Sequence, residues 1–209
     1  MPHLGAGGTH IAAGDHDAAL AARGGPLAGI GRDRRDRAVV IDTHHVETAG
    51  VVVTEYGLGG GRIDPHQLAD ALLRWEDDMR ARGSLDLLGP STKLALERVR
   101  AGADPHFTGR EGTTNGAAMR VAPVGIAFSV SADGDARARA VQASCVVPHD
   151  PRQGFEAAGL LAAAVSAAID GVDAAGALEA ARDFVAAHPE AGHWTEKASV
   201  AARTRLALE

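Results

Sequence analysis

The run Thr113-Thr114-Asn115-Gly116-Ala117-Ala118-Met119-Arg120-Val121-Ala122-Pro123-Val124-Gly125 holds the residue types best suited to gripping a ligand. A glycine beside an asparagine lets backbone N–H groups approach a bound molecule closely, and a following helix start offers its positive dipole end to phosphate. The same letters also describe an ordinary loop that enters a helix and is broken at Pro123, because proline removes a donor and disfavours helix before it. His44 and His45 are adjacent, so their rings point apart on a helix or a strand and do not share one ligand. The other histidines show no ligand spacing along the chain. Cys145, in an apolar helical stretch, reads as a small core residue. Gly5-Ala6-Gly7-Gly8 hints at a dinucleotide loop, but no strand precedes it and no acidic residue follows in the right context. The mixed-sign run from Arg32 to Arg37 describes a solvated face more than a phosphate contact.

The elements that must position these residues are helical. Hydrophobic residues make up 45 % of the 209, mostly Ala, Val and Leu, and only 3 % are aromatic. Ala and Leu are the strongest helix formers, so the composition predicts an all-α, Ala-rich protein. Asp64, Pro65 and Gln67 form a capping signal for a helix with Leu68, Leu72, Trp75 and Met79 in its core stripe, ended by Gly83. A second helix is expected from Pro90-Ser91 to about Arg100. Others are expected at 136–146, at 154–169 with Leu160, Leu161, Val165 and Ile169, and at 173–187 with Leu178, Ala181 and Val185. The 154–169 helix is apolar nearly all round, so burial is expected. Val51-Val52-Val53 reads as part of a helix after Thr43. Residues 1–38 are Gly-rich and weakly periodic, and read as an irregular arm on a helical domain spanning 39–209.

A net charge of -6 argues against a nucleic-acid partner. No apolar stretch is long enough to span a membrane. One cysteine excludes an internal disulfide and fits a reducing compartment, and the N-terminus lacks a signal pattern, so a cytoplasmic location is expected.

Asn115-Gly116-Ala117-Ala118-Met119-Arg120, followed by Ala122-Pro123 and Gly125, resembles the G-N-G-A-A-M-R-x-A-P-x-G signature of the ADP-ribosylglycohydrolases. That family includes the dinitrogenase reductase-activating glycohydrolases. Thr114 departs from it, standing where the family usually has glycine. The flanks from Leu72 to Lys93, Pro148-His149-Asp150-Pro151 and Gly192-His193-Trp194 are also similar to the family, so the resemblance covers roughly 40 to 205.

The resemblance implies an all-α orthogonal helical bundle whose cleft holds a pair of divalent cations, magnesium or manganese, beside ADP-ribose. The implied partners are ADP-ribose or an ADP-ribosylated protein. Asn115, Gly116, Met119 and His149 would contact ribose and phosphates. Asp86 would assist a water as general base, although it lies one position off the family spacing and is equally suited to capping or loop hydrogen bonding. The family's T-D-D-T motif survives as Val40-Ile41-Asp42-Thr43, leaving Asp42 and Thr43 as metal ligands and Asp42 as a catalytic carboxylate. A shifted alignment would place His44 and His45 there instead, for a softer metal. The family's C-terminal D-x-D-T motif belongs beyond residue 205, which implies a bundle incomplete at that end, with an apolar face left for self-association. Gly14-Asp15-His16-Asp17 is similar to that motif, so Asp15 and Asp17 are candidate ligands, with a solvated acidic arm as the alternative. Two functions follow. One is a hydrolase of an N-glycosidic bond to ADP-ribose or a related ribosyl ligand. The other is an impaired relative, metal lost, that binds ADP-ribose or a partner, or is a remnant of a longer gene.

Overall fold

A computed structural model describes residues 63–83, 88–128 and 134–208 of the chain. The Gly-rich arm, Asp15, Asp17, Asp42, Thr43, the expected helix around Val51–Val53 and Asp86 all lie outside the described residues. The fold is all-α. The elements are α1 (Pro65–Ala81), α2 (Pro90–Arg100), α3 (Pro105–Thr108), α4 (Gly116–Arg120), α5 (Ala122–Ala127), α6 (Gly134–His149), α7 (Arg152–Ile169), α8 (Ala174–Ala186) and α9 (Val200–Leu208). Among the described residues no helix is long and apolar enough to cross a membrane.

Asp64 caps α1 as its type predicts, accepting from the backbone N–H groups of His66 and Gln67. Leu68 and Leu72 are buried, but Trp75 and Met79 are only half-buried. The next position inward is instead Glu76, one turn beyond Leu72. Its two carboxylate oxygens are partnered inside, where Arg80 Nη2 and Arg100 Nη1 donate to them at 2.6 and 2.8 Å. The buried stripe therefore ends in the ion-paired Glu76 and not in the expected Trp75 and Met79.

Two central helices organise the rest. α6 packs against α1, α2, α3, α4, α5 and α7, and α7 packs against α4, α5, α6, α8 and α9. In α7 the expected core positions are displaced: Leu161 and Ile169 are exposed and Leu160 and Val165 half-buried. Ala158, Gly159, Ala162, Ala163 and Ala167 are buried instead. Small residues win because neighbouring backbones come so close. A Cβ on Gly125 of α5 would lie 2.5 Å from the Ala162 carbonyl oxygen, so a side chain there would collide with α7. α6 is also longer than the expected 136–146 and carries Pro148 within its last turn.

The C-terminal helix is held by one buried carboxylate. Glu156 of α7 accepts from Val200 N at 2.6 Å, Ala201 N at 3.3 Å, Ser199 Oγ at 3.0 Å and Arg152 Nε at 3.0 Å. It thus satisfies orphan N–H groups at the start of α9, where a negative charge is favourable. Glu156→Ala is expected to destabilise the chain by about 2 kcal/mol, since charge-assisted hydrogen bonds are lost and buried donors stranded. Hydrogen exchange should rise first at 199–208. Unchanged protection there would contradict this role.

Candidate functional site

The signature segment starts from a helix that proline has damaged. In α6 the N–H of residue 148 should bond the Ser144 carbonyl, but Pro148 has no N–H. The Ser144 oxygen is thereby left open in the buried interior. Arg120, at the end of α4, fills the vacancy: its Nε and Nη2 donate to that oxygen at 3.2 and 2.9 Å. Its Nη1 donates back to the Gly116 carbonyl at 2.8 Å and lies 3.3 Å from His149 Nδ1. Arginine has donors only, so His149 Nδ1 must accept, and the imidazole carries its proton on Nε2. That N–H points at Thr114 Oγ1, 2.8 Å away. Ser144, Arg120, His149, Thr114 and Gly116 form one continuous network.

The electrostatics follow from burial. His149 is fully buried, and desolvation together with the Arg120 charge pushes its pKa down to about 3. It is neutral throughout the physiological range. Burial also lowers Arg120 to about 10, which leaves it a cation at neutral pH. Cys145 is buried and pushed up to about 11 by desolvation, so it remains a thiol, in keeping with a core role. Asp150, next along, is raised by burial against the lowering influence of His193, Arg110 and a 2.9 Å bond from Gln142 Nε2.

The structure brings Gly116 and His149 together across 33 residues of sequence, while Asn115 and Met119 stand on the outer side of the same turn. Asn115 is exposed and its side chain makes no capping bond to α4, and Met119 is 64 % exposed. Pro123 lies in the first turn of the separate helix α5, and the expected break falls just before it, at Val121, which terminates α4 and opens α5. His149, expected to contact ribose or phosphate, is placed in the buried interior. The ring lies behind the loop, and with so low a pKa it does not take up a proton at neutral pH; it positions Thr114 and Gly116. Thr114, the departure from the family signature, supplies the acceptor that His149 needs. Arg120 stands in the signature without an expected role and Ser144 is not singled out by the sequence reading, although Pro148 four residues after Ser144 was the available signal.

The network explains why position 116 is glycine. A Cβ there would sit 2.7 Å from His149 Cε1 and 3.0 Å from Nε2. The ring is bonded on both sides and cannot swing away, so Gly116→Ala is expected to cost about 1–3 kcal/mol by overpacking. A denaturation midpoint equal to that of the parent chain would contradict this packing.

The chain closes over this region through its C-terminal segment. His193 N donates to Asp150 O at 2.7 Å, Arg152 N donates to His193 O at 2.8 Å, and Lys197 Nζ donates to Thr113 Oγ1 at 3.0 Å. Trp194 remains 71 % exposed in the same segment. One expectation is corrected: histidines without ligand spacing along the chain do meet in space, since His66, Asp104 and His106 cluster on the surface.

A family model described as ADP-ribosylglycohydrolase matches residues 21–209. The uncharacterized protein YegU of Escherichia coli (strain K12) is 33 % identical over 150 residues, which are 71 % of this chain and 44 % of that relative. The chain thus spans less than half the length of the relative it matches. No solved structure matches it significantly. A match over most of the chain, centred on a signature segment that the fold holds by its own buried network, places this protein in the ADP-ribosylglycohydrolase family.

Proposed function

We propose that the chain acts on ADP-ribose, cleaving its N-glycosidic bond to an acceptor as a metal-assisted hydrolase. The observation that supports this most is the signature turn itself. Its backbone is fixed from behind by Arg120 and His149 while Asn115 and Met119 remain exposed in front. Asn115 would hydrogen-bond the ribosyl diphosphate, the side-chain-free Gly116 would let it approach the backbone, and Met119 would flank it. Asp86 would take a proton from the attacking water.

The metal fits the chemistry of the donor set only in part. Asp42 and Thr43, with Asp15 and Asp17, offer hard oxygen atoms of the kind magnesium or manganese prefers, but Val40 and Ile41 offer none. Bound there, the cation would orient the ribose and acidify a water. The lost carboxylate at Ile41 favours a second reading, a relative that binds ADP-ribose without turning it over.

Incubation of the full chain with an ADP-ribosylated protein and magnesium should release free ADP-ribose. Asp42→Ala should lower that rate by about 100-fold, the usual scale for losing one electrostatic stabiliser. Saturable ADP-ribose binding with no release would favour the second reading. Neither binding nor release would overturn both.

A further inference from the structure

The tripeptide Asp-Pro-His occurs twice, as Asp64-Pro65-His66 at the start of α1 and as Asp104-Pro105-His106 at the start of α3. In each copy the aspartate caps the helix by accepting the backbone N–H of the histidine, at 2.9 Å for His66 and 3.0 Å for His106. Proline has no N–H, so the histidine carries one of the first donors the cap can use, and the cap fixes where the imidazole begins. α1 and α3 pack side by side, and the two rings meet edge to face with centroids 5.4 Å apart.

Asp104 lies between them. Its Oδ1 is 2.8 Å from His106 Nδ1 and 3.8 Å from His66 Nε2. One donor atom from each of the three residues lies within 4.8 Å of the others. Both histidine contacts lower the pKa of the Asp104 carboxyl, behind the larger effect of the His106 backbone N–H.

We propose that His66, Asp104 and His106 form a surface site for a divalent transition cation of the zinc class. Two imidazoles and one carboxylate are the donors such ions prefer, whereas magnesium selects oxygen alone. Zinc holds nitrogen and oxygen ligands at about 2.0–2.2 Å, so tetrahedral donors stand roughly 3.3 Å apart. The His106–Asp104 pair is already inside that spacing, and the His66–Asp104 distance exceeds it by only about half an ångström. The side chains are 60 %, 49 % and 48 % exposed, which leaves the fourth position open to water and little desolvation to offset. His106 shares its Nδ1 proton with Asp104; on ligation through Nδ1 that proton moves to Nε2. The cation would clip the start of α1 to α3, the helix that feeds the loop running from Gly109 to Asn115. This site shares no residue with the proposed ADP-ribose site and does not depend on that reading.

The test is zinc titration, by calorimetry, of the metal-stripped, untagged full chain in excess magnesium, which occupies all-oxygen sites. His66→Gln and His106→Gln should each weaken one binding event at least about tenfold. Wild-type chain at a hundredfold excess over Kd should melt roughly 5–10 °C higher with zinc, and neither variant should. Cobalt added to wild-type chain should broaden two of the ten histidine ring resonances, a readout that needs no variant to fold. Isotherms unchanged in both variants, or cobalt broadening of no histidine pair, would overturn the site.

Discussion

Arg120→Met is expected to destabilise the chain by about 3 kcal/mol, because buried acceptors left without donors cost roughly 1–3 kcal/mol each. Three acceptors depend on this guanidinium: the Ser144 carbonyl, the Gly116 carbonyl and His149 Nδ1. Methionine fills similar space and relieves the cost of burying a cation, which offsets part of the loss, but it has no donor. Pro148 guarantees that the Ser144 oxygen has no helical partner to fall back on. Arg120→Lys should recover only a fraction, since one ammonium cannot span the fork that Nε and Nη2 present. Urea denaturation of the three proteins checks this, and a loss below about 1 kcal/mol for Arg120→Met would show that the network holds without its centre.

Acidification should act through the same network. In the folded chain His149 takes a proton only near pH 3, while an unfolded histidine does so near 6.5. Between those values the unfolded state binds more protons, so stability rises with pH across the window and falls as pH drops from about 6.5 toward 3. Each tenfold gap in proton affinity is worth about 1.4 kcal/mol, which makes the whole window worth on the order of 5 kcal/mol. Asp150, raised by burial, acts in the opposite sense at the acid end. His149→Gln can still donate to Thr114 and accept from Arg120, so subtracting its stability profile from that of the parent isolates the histidine. Parallel profiles from pH 7 to pH 4 would contradict a buried neutral imidazole.

Much of this was legible in the sequence, and the misses share a cause. Asp64-Pro65 started α1, Gly83 and Gly171 ended helices with φ of 81 and 87°, and Asn115-Gly116 marked the turn. Local signals of that kind depend on neighbours in the chain. Leu161 and Ile169 were misplaced because hydrophobicity alone ranks them above Ala162 and Ala163, whereas the close approach of α5 to α7 at Gly125 and Ala162 favours small residues there. Glu76 and Glu156 carry no such local signal, since their partners Arg100 and Val200 lie 24 and 44 residues away. The pairing of His66 with His106 was hidden for the same reason, although the repeated Asp-Pro-His was printed in the chain. The helix expected over 136–146 runs on instead through Pro148 to His149.

The most direct check is an amide NMR titration of the full chain with ADP-ribose in magnesium. The largest saturable shifts should fall on Asn115, Gly116 and Met119, and Gly116→Ala should abolish them. A nucleotide that bound elsewhere and left those three amides unmoved would show that the buried lattice behind them serves folding alone.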